Sequence, residues 1–167
     1  MIISFLKRLF WFVLLVLIQG FILNRMNIMG YATPMPFIFF LLMFRKGSSR
    51  AGLLLWGFAL GLIMDLFTNT PGIGAGCCTL LGMVQPSLLN IFVPRDSAED
   101  LQPSIKQQGL VKFCSYLLLA AFLYYVCYYL LLAFSFAHLG DLAIHVIGGT
   151  LFTFVLMIGL NALYVRS

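Results

Sequence analysis

The sequence predicts an all-α integral membrane protein: six transmembrane helices in one bundle, with both termini in the cytoplasm. Three observations predict this. The 167 residues are 62% hydrophobic and only 9% charged, with a mean hydropathy of +1.05, whereas charged residues make up about 25% of a soluble domain. Six apolar runs stand at about 5–24, 31–44, 51–68, 72–93, 110–137 and 139–165, and most approach the roughly 20 residues a helix needs to cross a bilayer. With six spans and a cytoplasmic N-terminus, Lys7, Arg8, Arg45, Lys46, Arg50, Arg95, Lys106, Lys112 and Arg166 fall inside and Arg25 alone falls outside, the bias that cytoplasmic loops show.

The first run, within MIISFLKRLFWFVLLVLIQGFILN at 1–24, has the basic start of a secretory signal. Its apolar core exceeds the roughly 7–15 residues of a signal core, and no small-x-small cleavage site follows, so it reads as a retained helix. The second run, YATPMPFIFFLLMF at 31–44, is a short or tilted helix with Pro34 and Pro36 in its first turn, where a missing N–H does least harm. Omitting it would carry the cluster from Arg45 to Arg50 to the outer side, so the charges favour six spans over five.

The third run carries Gly57, Gly61 and Asp65. Residues four apart stack on one helix face, and small residues there let another helix approach closely. From Ala51, Asp65 lies about 20 Å along the helix, in the outer third of the membrane. An acid costs roughly 2.5–3.5 kcal/mol at the bilayer centre and less toward an interface, so some interaction must compensate it. In the structural reading, Asp65 caps the next helix across the TNTPG turn at 68–72, or accepts from a partner. The alternative is an ion or proton pathway.

The fourth run opens with GIGAG at 72–76. No strand precedes it and no phosphate-loop lysine follows, so it reads as a close-packing helix start after Pro71 rather than a nucleotide site. The mixed-charge stretch 94–109 reads as a cytoplasmic loop, too short for a catalytic domain. The fifth run is longer than a span requires. On the sixth, Asp141 and His145 are four apart and form a local pair, with Asp141 near the helix start. A metal would need a third ligand, and His138 could join only if the turn folds back.

Gln19, Gln85, Asn90 and Asn161 complete the polar candidates within apolar runs. The four cysteines have no metal-ligand or CxxC spacing and read as small hydrophobes. No serine stands in a nucleophile turn or beside a base. The expectation is one polytopic domain over 1–167, no enzyme, no cofactor or metal, and no nucleic acid, because the net charge of +5 is explained by topology.

Gln19 late in the first helix, PMPFIFFLLMF at 34–44, and above all GFALGLIMDLFTNTPGIGAGCCTLL at 57–81 resemble MreD, the rod-shape-determining family of bacterial inner-membrane proteins. The likeness covers the layout of the whole chain and is specific over 57–81, where Gly61, Asp65, Pro71, Gly72 and Gly74 match the family's most recognisable segment. The resemblance implies a multi-pass protein of the bacterial inner (cytoplasmic) membrane. It implies a non-enzymatic scaffold of the cell-elongation complex that binds the bitopic partner MreC and other cell-elongation proteins, setting rod shape and organising peptidoglycan synthesis within membrane lipid. The layout is also similar in outline to the substrate-binding S components of vitamin transporters, so the alternative is a substrate-binding membrane subunit of a small-molecule transporter. The mixed-charge loop after Pro94 and the weakly polar carboxy-terminus depart from the family pattern.

Overall fold

The computed structural model describes residues 2–23, 34–93, 103–133 and 139–166. The described residues are mostly helical, with no strand among them. Helix α1 (Ile2–Leu17) continues into one wide π turn over Ile18–Ile22. A 3-10 turn at Pro36–Ile38 leads into the four-residue α2 (Phe39–Leu42), and α3 (Arg50–Thr68), α4 (Ile73–Phe92), the short α5 (Ile105–Gln108), α6 (Leu110–Ala133) and α7 (Leu139–Arg166) follow. Arg25, His138 and most of the loop at 94–109 lie outside the described residues.

Four helical stretches are long and apolar enough to cross a membrane: Arg50–Thr68, Ile73–Phe92, Leu110–Leu132 and Ala143–Leu163. The 19 residues of α3 rise about 28 Å, close to the ~30 Å of a bilayer's hydrocarbon. Each of these helices turns one side inward and leaves large apolar side chains such as Leu55, Leu66, Ile91 and Val155 on the outside. In a chain this poor in charge, that outer surface is a lipid-facing one. The fold is therefore that of an all-helical membrane protein.

The second apolar run differs from the expected short or tilted helix. It becomes one 3-10 turn and one turn of α-helix, and every residue from Pro34 to Phe44 is buried. A helix over 34–44 would reach only about 16 Å, half the hydrocarbon thickness. Instead the segment runs inside the bundle, and side chains of other helices satisfy its loose backbone groups. The Gln19 amide donates to the Pro34 carbonyl (2.9 Å). The Met35 N–H donates to Thr153 Oγ1 (3.0 Å), which shares a 2.6 Å bond with the Tyr125 hydroxyl. At the far end, Tyr116 donates to the Leu42 carbonyl (3.1 Å) and Gln85 Nε2 to the Phe44 carbonyl (3.3 Å). Irregular backbone at membrane depth needs such protein partners because lipid offers none.

Phe12 of α1, Phe40 of α2 and Trp56 of α3 pack edge to face around this segment, with ring centroids 5.2–5.6 Å apart. Phe37 meets Tyr124 of α6 at 5.8 Å. The buried segment is thus the hub against which α1, α3 and α6 are set.

Candidate functional site

The glycine face of α3 is used within the chain. A Cβ placed on Gly61 would meet the Gly74 carbonyl oxygen and lie 2.5 Å from Ala75 Cα. On Gly57 it would lie 2.8 Å from the Cys78 carbonyl oxygen. The backbones of α3 and α4 therefore touch directly, the contact that small residues permit between helices.

This closeness brings Asp65 to the start of α4. Its Oδ1 accepts from the Gly74 N–H (2.7 Å) and the Thr70 hydroxyl (3.2 Å). Its Oδ2 accepts from the Gly72 N–H (3.0 Å) and the Ala75 N–H (2.9 Å). A helix leaves its first N–H groups without intrahelical partners and its N-terminus partly positive. One carboxylate here answers three such N–H groups, which is how an acid persists near a membrane interface. The turn between the helices makes this possible through two left-handed residues, Asn69 (φ 56°) and Gly72 (φ 87°). Both residue types tolerate that conformation. Any Cβ on Gly74 would collide with Asp65 Oδ1 at 2.6 Å, so glycine is required there for the carboxylate to reach the backbone.

Of the sequence-derived site residues, Gly57, Gly61, Asp65 and Gly74 meet at this hairpin, with Pro71 and Gly72 in its exposed turn. Gln19 reaches the same end of the bundle from the π turn of α1. It joins Asp65, Thr68, Tyr124 and Tyr128 around a cavity of about 190 Å³. His145 sits elsewhere, its ring 5.5 Å from that of Tyr129, and the Asp141 side chain lies outside the described residues. No group of three or more His, Cys, Asp or Glu that could hold a metal occurs among the described residues.

Sequence reasoning missed Tyr124, Tyr128 and Thr153. The available signal was YYVCYY at 124–129, four hydroxyls on a span with helical spacing, each of which needs a partner when removed from water. Tyr124 and Tyr128 stack at 6.1 Å. Tyr128 stands near the Thr70 side chain and Tyr124 near that of Cys78. Thr68 donates to the Met64 carbonyl (3.0 Å) and lies 2.7 Å from the Thr70 hydroxyl. The Thr68 and Thr70 hydroxyl protons are thereby used within the protein.

At the opposite end of the bundle a second recess, about 310 Å³, is lined by Arg8, Arg45, Ser48, Ser49 and Trp56. The Arg8 guanidinium stands 5.0 Å above the Phe44 ring, a cation–π arrangement. One end of the bundle is therefore basic and the other carries a carboxylate.

Fold and site together define a helical membrane protein built around a capped, glycine-packed hairpin and an internal cavity. Compared with known proteins, the chain matches no family model, no curated protein and no solved structure.

Proposed function

We propose that this chain is a non-enzymatic scaffold of the MreD type, a six-span protein of the bacterial inner membrane with both termini in the cytoplasm. Its partner in this reading is a single-span protein like MreC, with other cell-elongation proteins attached through it. The observation that carries the reading is the hairpin at 57–81. The residues that resemble the family motif are those that join α3 to α4, through Gly61 on Gly74 and Asp65 on three N–H groups. A hairpin fixed in this way presents its outer side chains, Leu55, Phe58, Leu62 and Leu66, as a rigid apolar face on which a single transmembrane helix can pack. The nine basic residues that a six-span layout puts on one side support the orientation.

One observation favours the transport alternative, a substrate-binding membrane subunit: the cavity beside Gln19 and Asp65. Copurification in mild detergent separates the two readings. The scaffold is expected to retain a single-span partner of the MreC kind, and its depletion is expected to turn rods into spheres. Retention of an ATP-hydrolysing motor instead, with rod shape intact on depletion, would replace the scaffold by the transporter.

A further inference from the structure

We infer that the recess between α1, the 45–49 loop and the start of α3 seats a phosphate group, as an anionic lipid headgroup presents it. A scaffold and a transport subunit can each carry such a seat.

Positive charge converges there. Arg8 of α1 and Arg45 of the loop after α2 both line a space of about 310 Å³, and no carboxylate is among its described lining residues. Two guanidinium groups drawn to one recess repel each other, and an anion between them turns that repulsion into attraction. The Arg8 guanidinium is steadied by the Phe44 ring, 5.0 Å away. A ring attracts the cation but supplies no countercharge. Guanidinium N–H groups form the planar fork that meets two oxygens of one phosphate.

The backbone adds to this field. The Ser48 N–H closes a turn on the Arg45 carbonyl (3.0 Å), which holds Ser48, Ser49 and Arg45 around the same space. The ladder of α3 begins with the Leu53 N–H on the Ser49 carbonyl (3.0 Å), so the N–H groups of Arg50, Ala51 and Gly52 have no partner within the helix. The Ser49 side chain makes no cap bond to them, and the helix start is partly positive. Gly52 keeps the space open, since a Cβ there would lie 2.7 Å from Ser49 Oγ.

Position selects the lipid as source. The 19 residues of α3 rise about 28 Å, so the start of this helix stands at one face of the ~30 Å hydrocarbon layer, level with the headgroups of that leaflet. Basic pockets between transmembrane helices at this level suit anionic headgroups. The recess has the volume of roughly ten waters, room for a phosphodiester and part of its glycerol. Leu9 and Val13 of α1 and Leu55 of α3 are exposed on the flanking helices and offer the acyl chains an apolar wall. Inorganic phosphate presents the same oxygens without the chains.

The test uses the full chain, purified in a maltoside detergent and stripped of lipid. In the first arm it is titrated with dioleoyl phosphatidylglycerol, and bound lipid is read by native mass spectrometry. Dioleoylglycerol, which lacks the phosphate, and dioleoyl phosphatidylcholine, whose choline cation the arginines repel, are the controls. In the second arm, melting temperature is followed against sodium phosphate, with sodium chloride at equal ionic strength. Saturable retention of phosphatidylglycerol over both controls is the expected result; a saturable rise with phosphate and no lipid preference would support the seat and identify a soluble phosphate as its source. Arg8→Gln and Arg45→Gln should each raise the half-saturating concentration about tenfold or more, the loss of one charge-assisted bond. Arg50→Gln removes the same charge from an exposed residue outside the recess and should change it by less than about threefold. Gly52→Leu keeps every charge but fills the recess, and should weaken binding as much as either arginine variant. Arg45 is exposed, so its variant keeps the test open if Arg8→Gln does not fold. Equal retention of all three lipids with no response to phosphate, an Arg50→Gln effect equal to that of Arg45→Gln, or undiminished binding in folded Arg45→Gln and Gly52→Leu proteins would overturn it.

Discussion

Replacing Gly61 by alanine adds a single methyl at the closest point between α3 and α4. That methyl would lie 2.5 Å from Ala75 Cα and 2.6 Å from the Gly74 carbonyl carbon, against 3.4–4 Å for ordinary contact. Both obstacles are backbone, so the helices must separate by about 1 Å, or the methyl must be accommodated by strain of the overpacking kind, worth about 1–3 kcal/mol. Separation lengthens the bonds from Asp65 to Gly72, Gly74 and Ala75, now 2.7–3.0 Å, toward the limit of useful hydrogen bonding. The packing and capping losses are therefore coupled, and Gly61→Ala is expected to destabilise by about 2–4 kcal/mol. Gly159→Ala is the control, because a Cβ there meets nothing within 4 Å and alanine favours a helix over glycine by about 1 kcal/mol. Thermal melting in detergent, followed by Trp11 and Trp56 fluorescence, reads both. A double-mutant cycle with Asp65→Asn should give clear non-additivity. If Gly61→Ala melts no lower than Gly159→Ala, the backbone contact described at this crossing is wrong.

Other substitutions test the remaining joints. Asp65→Asn is expected to lose much of the cap, because each carboxylate oxygen accepts two bonds and the amide NH2 would oppose two donors, at about 1.5–3 kcal/mol for each charged bond lost; Asp65→Leu should be worse, and unchanged melting of the asparagine form would remove the cap from the account. Gln85→Leu should destabilise by about 1–3 kcal/mol by leaving the buried Phe44 carbonyl without its donor, a cost that chemical or thermal unfolding would miss only if water replaced the amide. Leu62→Ala, on an outward face, should insert and melt almost as the parent does while weakening capture of a single-span partner, if that face is the docking surface. A cysteine introduced at Ser97 should react with an impermeant maleimide only after the cells are opened; labelling of intact cells would invert the topology.

The hairpin was readable because its cause is local. Gly57, Gly61 and Asp65 share a face by helical spacing, and TNTPG marks a turn, so a cap and a close approach follow from short-range rules. The sequence left open which helix approaches that face, since spacing defines a surface and not its neighbour; the neighbour is α4, the next helix in the chain. The fate of 31–44 was less legible. Its composition suits either lipid or protein surroundings, and burial was decided by Thr153, Gln85 and Tyr116, residues 41 to 118 positions away from their partners. The cavity has the same character, since Gln19 and Asp65 become neighbours only after α1 packs beside α3. The expected pair of Asp141 and His145 stays untested, because the Asp141 side chain lies outside the described residues.

The buried segment from Pro34 to Phe44 also constrains how the protein is made. It emerges early in synthesis, yet the Thr153 hydroxyl that meets the Met35 N–H belongs to the last helix, and the Tyr116 hydroxyl that meets the Leu42 carbonyl comes 74 residues later. At roughly 5–20 residues per second of translation, those backbone groups wait several seconds or more for their partners. During that wait the segment cannot rest in lipid with its polar groups unmet, so it remains in the insertion machinery, in water, or against a chaperone. A chain arrested before α7 should therefore expose 34–44 to protease or to a cysteine probe, and release of the complete chain should conceal it. The segment from Pro34 to Phe44 is laid down early, but its Met35 N–H gains its partner only when α7 arrives.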